Sequence, residues 1–253
     1  MNNGIKQLDR LLRGDATRFE ALKRGTFDVD AAAVASVILM LGLFYGLCMG
    51  SFGLFQGRAG ALPQLVATTG KVPLLFLLTL LVTFPSLYVF NALIGSRLTL
   101  ASTLHLIISA MAIMLAVLAS LGTIVAFFSV STNDYSFILL LNVVVFAISG
   151  ALGMKFLLQT LHRLTLAQDA EDRLDAPMPE PGGALDKTKS HAISANVTTI
   201  FHIWIVVFGL VGAQMGWVLR PFIGSPDKAF TLFRLRESNF FEAVARTFWV
   251  LFG

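Results

Sequence analysis

The sequence predicts an all-α fold: a polytopic transmembrane helical bundle of about five spans, with amphipathic interfacial helices at both ends. Three observations predict it. Of 253 residues, 56% are hydrophobic and 13% charged, where a soluble domain carries ~25% charge. The charges crowd into residues 1–30, 162–190 and 220–246, and the runs between are long enough to cross a ~30 Å hydrocarbon core. The flanking stretches carry helical periodicity of the kind that lies on a membrane surface.

In chain order, residues 1–30 read as a cytoplasmic amphipathic leader made of two short helices. Ile5, Leu8, Leu11 and Leu12 fall on one face of the first, and Gly14 stops it. Asp15 or Thr17 caps the second, with Thr17 and Glu20 at capping-box spacing, and Gly25 ends it. Residues 31–161 read as a four-span bundle, with spans at 31–55, 72–95, within 98–132 and within 136–161. The third run holds 35 uncharged residues, ~52 Å of helix, so it must tilt, project or break. Gly122 is its weak point. Residues 162–197 form a charged linker containing Pro177, Pro179, Pro181, Gly182 and Gly183, too polar to bury a core. Residues 198–219 are the fifth span and 220–253 an aromatic, basic interfacial tail.

Cations at the segment ends set the orientation. Lys6, Arg10, Arg13, Arg18, Lys23 and Arg24 precede the first span, whereas the first loop has only Arg58 and Lys71. Arg163, Arg173, Lys187 and Lys189 follow the fourth span. The amino terminus is therefore expected in the cytoplasm, with the chain in a bacterial inner membrane. Five crossings then put the tail, with Arg220, Lys228, Arg234, Arg236 and Arg246, on the opposite side, against the same rule. The first apolar run starts only at Ala31, behind an acid-containing leader, which does not read as a cleavable signal. Cys48 is the single cysteine, so no internal disulfide forms.

Small residues recur at four-residue spacing: Gly42, Gly46 and Gly50 in the first span, Gly212 and Gly216 in the fifth. Such stripes let helix backbones approach closely where lipid supplies no hydrophobic drive. They serve either packing within one bundle or self-association through the first span. Polar residues inside the spans fall in two layers. Asn91, His105 and His202 lie on the cytoplasmic side, with Lys155 and Gln159, and Asn142 and Gln214 on the outer side. Layers of this kind mark a pathway for protons or headgroups, or else interhelical hydrogen bonds worth ~0.6 kcal/mol each. Lys155 is placed to snorkel.

Enzyme signatures are missing from the sequence. It has no phosphate-binding glycine loop, no Cys/His metal spacing and no nucleophile elbow. Ser109 and His105 share a helical face without a third catalytic group. The expectation is no catalytic residue, no metal and no cofactor. The charge of +4 suits anionic lipid and not nucleic acid.

The tail is the most specific stretch. Pro221 ends the last helix, Arg220 reaches lipid phosphate and Trp217 sits at the interface. Phe222, Phe230, Phe233, Phe240, Phe241, Phe248 and Trp249 then alternate with Arg234, Arg236 and Arg246. From Asn239 the aromatics recur at helical spacing, an interfacial helix that either anchors the tail or presents a platform for headgroups or a neighbouring subunit.

The layout, together with NALIGSRLT at 91–99 before a middle span, resembles the Yip-type membrane proteins, a broad family with bacterial relatives. The resemblance covers the first four spans and implies a helical membrane fold. The LRPFIG segment at 219–224 departs from it and looks similar to uncharacterised bacterial inner-membrane proteins. Eukaryotic members engage Rab-type GTPases, and no residue here carries that over. The expected function is a non-enzymatic integral membrane subunit or scaffold that packs against membrane lipids, another membrane protein or a second copy. The alternative is a small transporter or channel using the polar layer of Asn91, His105 and His202.

Overall fold

The computed structural model describes residues 2–15, 30–57, 60–93, 100–175, 188–224, 230–234 and 238–252. Among them are seven helices and no strand: α1 (Asn2–Leu12), α2 (Ala31–Phe55), α3 (Ala61–Leu93), α4 (Leu100–Ser131), α5 (Tyr135–Asp175), α6 (Thr188–Val218) and α7 (Phe240–Phe252). Four stretches are long and apolar enough to cross a membrane: Ala31–Phe55, Ala61–Ser86, Thr103–Ser131 and Tyr135–Thr160. A shorter apolar stretch, His202–Val218, lies in α6. The chain is therefore a helical bundle with the composition of an integral membrane protein.

Two sequence expectations change, and one of the alternatives left open is closed. The second span begins at Ala61 and not at 72, so Lys71 belongs to a helix interior and not to the first loop. The reason is a period the hydrophobic count overlooks: Gln64, Thr68 and Lys71 sit on one helical face that is buried. The third run does not break at Gly122, because α4 is continuous from Leu100 to Ser131 and Tyr45 packs against that glycine. The linker at 162–197 is helical at both edges, since α5 runs to Asp175 and α6 starts at Thr188. The second leader helix lies outside the described residues, as does Arg236.

The chain divides into two compact units. One comprises Met1–Val37, Phe84–Ile113 and Gly153–Val207. Its core holds Val34, Leu106, Ile107, Leu157 and Trp204. Here α1 lies against the start of α2: a Cβ on Gly4 would stand 2.6 Å from the Ala33 carbonyl oxygen, so the contact requires glycine. Leu11 is buried while Ile5 and Leu12 face outward. Gly14, at φ 76°, closes the helix, a conformation that costs a residue with a Cβ. Asp30 caps α2, accepting the Ala33 N–H at 3.1 Å.

The other unit comprises Ile38–Thr83, Met114–Leu152 and Phe208–Gly253. The glycine stripe of α2 packs against α3. A Cβ on Gly46 would fall 2.7 Å from the Thr69 Cα, and those on Gly42 and Gly50 within 3.2 Å of Pro73 and 3.0 Å of Leu65. Gly212 and Gly216 of α6 face Thr79 and Leu75 of the same helix. Glycines thus bring both helices onto α3. At Asn142 the core is polar: Tyr45 donates to its Oδ1 at 2.7 Å, and Asn142 Nδ2 donates to the Ile138 carbonyl at 2.8 Å. Phe146 closes this point edge-on to Tyr45 and stacked with Phe76. Gln56 Nε2 donates to Asn133 Oδ1 at 2.6 Å, joining the end of α2 to the α4–α5 turn.

Candidate functional site

The last apolar helix stops at Val218, and the chain that follows has no regular structure until Phe240 among the described residues. Irregular backbone leaves carbonyl oxygens without helical partners, and in an apolar setting each must be hydrogen-bonded by other protein groups. Helix α3 supplies the donors. Gln64 Nε2 donates to the Phe222 carbonyl at 2.8 Å and to that of Pro221 at 3.2 Å. Thr68 Oγ1 also donates to the Phe222 carbonyl. Lys71 Nζ donates to the Pro221 carbonyl at 3.0 Å and to the Leu232 carbonyl. These side chains stand at i, i+4 and i+7, one stripe of the helix, and are 4%, 0% and 4% exposed.

Other contacts complete the turn. The Arg220–Pro221 peptide is cis. The Arg234 N–H donates to the Arg220 carbonyl at 3.3 Å, laying 230–234 alongside 219–224. Phe230 packs on Gly60, with 3.0 Å to a Cβ built there. The Lys71 ammonium stands 5.1 Å from the Phe233 ring centroid, and the Arg220 guanidinium lies 3.6 Å from that of Trp217. Trp217 Nε1 donates to the Ser238 carbonyl, tying the end of α6 to the start of α7. Lys71 is 4% exposed, and an ammonium buried to that degree needs the carbonyl and ring contacts it makes.

Helix α7 leaves this turn as an amphipathic element. Asn239 Oδ1 accepts the Glu242 N–H at 2.9 Å, an N-cap, and Arg246 pairs with Glu242 at 2.9 Å one turn on. Phe240 and Phe241 meet edge to face. Phe241, Phe248, Trp249 and Val250 are exposed, Trp249 by 74%.

The structure thus gathers Trp217, Arg220, Pro221, Phe222, Phe230, Phe233 and Arg234 into one turn and carries Phe240, Phe241, Phe248 and Trp249 on the adjoining helix. Asn142 is bonded to Tyr45 and not to Gln214, which is half-buried on α6. His105 is half-buried on α4 and His202 exposed on α6, both in the first unit; the Asn91 side chain is outside the description. Ser109 Oγ donates to the His105 carbonyl at 2.8 Å, a bond within its own helix. Among the described residues no group of His, Cys, Asp and Glu is placed to hold a metal ion.

Sequence reasoning missed Gln64, Thr68 and Lys71. The signal that finds them is the run Gln64, Thr68, Lys71, Thr79 and Thr83, buried polar positions on one side of an otherwise apolar helix. No protein-family model, no curated protein and no solved structure matches this chain.

Proposed function

We propose that this chain is a non-enzymatic membrane subunit that docks a partner membrane protein through the aromatic face of α7. The observation that carries the reading is that face itself: Phe241, Phe248 and Trp249 are exposed on a helix capped at one end and anchored there by Trp217. An anchor alone needs apolar surface. A helix whose position is set by a buried hydrogen-bonded turn is also oriented, which is what a specific contact requires. The polar side chains inside the second unit support a structural role over a permeation pathway. Gln64, Thr68 and Lys71 bond backbone carbonyls, and Asn142 bonds Tyr45. The same reading places the chain in a bacterial inner membrane with the amino terminus in the cytoplasm, on the strength of the leader cations and those after the fourth span.

The test is extraction in native lipid particles, with mass spectrometry of proteins that copurify in stoichiometric amount. A partner present with the native chain and lost with Phe241→Ala/Trp249→Ala is the expected result. Both residues are exposed, so the double variant keeps the bundle intact. A native chain that purifies alone, or a partner retained by the double variant, refutes docking through α7.

A further inference from the structure

Helix α7 carries a surface that complements itself. Phe241, Ala245 and Trp249 follow one another at four-residue spacing, a single row of the helix, and all three are exposed. The row reads large, small, large, so Ala245 is the point where a second helix can come closest. Glu242 and Arg246 run along one edge of the row, paired with each other at 2.9 Å and both exposed. That edge holds one acid and one base a turn apart. Their midpoint is one residue from Ala245, ~1.5 Å along the axis.

Two copies inserted in the same direction are related by a two-fold axis along the membrane normal. A helix lying in the membrane plane, as amphipathic interfacial helices do, meets its copy across that axis in the antiparallel sense only. The parallel arrangement would turn one copy upside down. Antiparallel pairing about Ala245 sets Phe241 against Trp249 of the second copy, and Trp249 against its Phe241. The axis keeps each edge at its own depth, so Glu242 faces Arg246 of the second copy and Arg246 faces its Glu242. Each charge gains a second opposite partner and keeps the first. Exposed charges of this kind add little affinity, but they fix orientation and register. The aromatic pairs supply the contact.

We propose that α7 docks α7 of a second copy of this chain, antiparallel across a two-fold axis at Ala245. The proposal rests on the reading of α7 as a docking helix and names its occupant. A different protein would have to present a base and an acid in the reverse order beside an aromatic row, whereas a second copy already carries them. Trp217, bonded to the Ser238 carbonyl, and the Asn239 cap hold the start of α7, so the row is presented in one orientation.

The experiment coexpresses the full chain with two different tags, extracts it in native lipid particles and reads how much of one tagged copy is captured with the other. Native copies are expected to capture one another. Glu242→Arg in both copies, or Arg246→Glu in both, sets like charges across the axis at two places and should lower capture about tenfold. A Glu242→Arg copy mixed with an Arg246→Glu copy should restore it, because every contact across the axis is again between opposite charges; that rescue also shows the variants to be folded. Disulfide trapping supplies a second readout, since Cys48, the one native cysteine, is buried. Ala245→Cys is expected to crosslink two copies. Phe241→Cys, ~12 Å along the axis from its counterpart, is not. Native copies that fail to capture one another overturn the proposal. So does capture unchanged by the charge variants, a loss that mixing does not restore, or a crosslink at 241 in place of 245. If the copies stay apart while a different protein is captured and lost with Phe241→Ala/Trp249→Ala, self-pairing falls and docking through α7 stands.

Discussion

Lys71 combines two opposing terms. Burying an ammonium costs several kcal/mol unless its donors are met, and here they meet the carbonyls of Pro221 and Leu232 and the face of Phe233. The Leu232 carbonyl in turn depends on the lysine, whereas that of Pro221 also accepts from Gln64. Lys71→Met keeps the length and removes the donors. Each carbonyl left unpaired costs ~1–3 kcal/mol, partly offset by the ammonium no longer being desolvated. The expected outcome is a net loss of ~1–3 kcal/mol, seen as a lower thermal midpoint in detergent, together with faster protease cleavage between 219 and 239. An unchanged midpoint with unchanged cleavage would remove Lys71 from the account of the turn. At this scale the sequence is deceptive. A lone cation near a predicted helix start reads as a loop residue, because hydropathy averaged over a window cannot distinguish a charge that faces water from one that faces carbonyls.

Helix α3 is the element on which the second unit depends. Gly42, Gly46 and Gly50 of α2 rest on it, Gly212 and Gly216 of α6 face it, and its polar stripe holds the turn. A Cβ at Gly46 would meet backbone, the Thr69 Cα at 2.7 Å and the Thr68 carbonyl oxygen at 3.0 Å, and backbone does not yield as a side chain does. Gly53, on the same helix, has nothing within 4 Å of a Cβ. Gly46→Ala is therefore expected to destabilise by ~1–3 kcal/mol, the range for overpacking. Gly53→Ala is expected to leave stability unchanged or raise it by up to ~1 kcal/mol, since alanine favours helix. Parallel thermal melts of the two variants check this, and equal midpoints would contradict it. The four-residue glycine spacing was legible in the sequence. Its partner was not: the same spacing serves self-association or packing, and only the Thr69 contact assigns Gly46 to packing within the chain.

Across the whole molecule, what was legible follows from composition. Long uncharged runs must be helical in a bilayer, since no other open element satisfies its own backbone, and the helices at 31–55, 135–160 and 240–252 lie close to where the pattern places them. What was not legible depends on side chains meeting across helices. Asn142 and Gln214 share a predicted depth, yet Asn142 bonds Tyr45, 97 residues away in the chain. Depth orders residues along the membrane normal and carries no information about the direction around a helix. The tail cations, anomalous for orientation when counted as a loop, include Arg220 stacked on Trp217.

The central claim is that α7 offers a protein partner its aromatic face. A photo-crosslinking amino acid at Trp249, compared with one at Leu77 on the outward side of α3, tests it in native membranes; both positions are exposed, by 74% and 59%. The account predicts one discrete protein adduct from position 249 and lipid adducts alone from position 77. Lipid adducts alone at both positions would contradict it and leave α7 as an anchor.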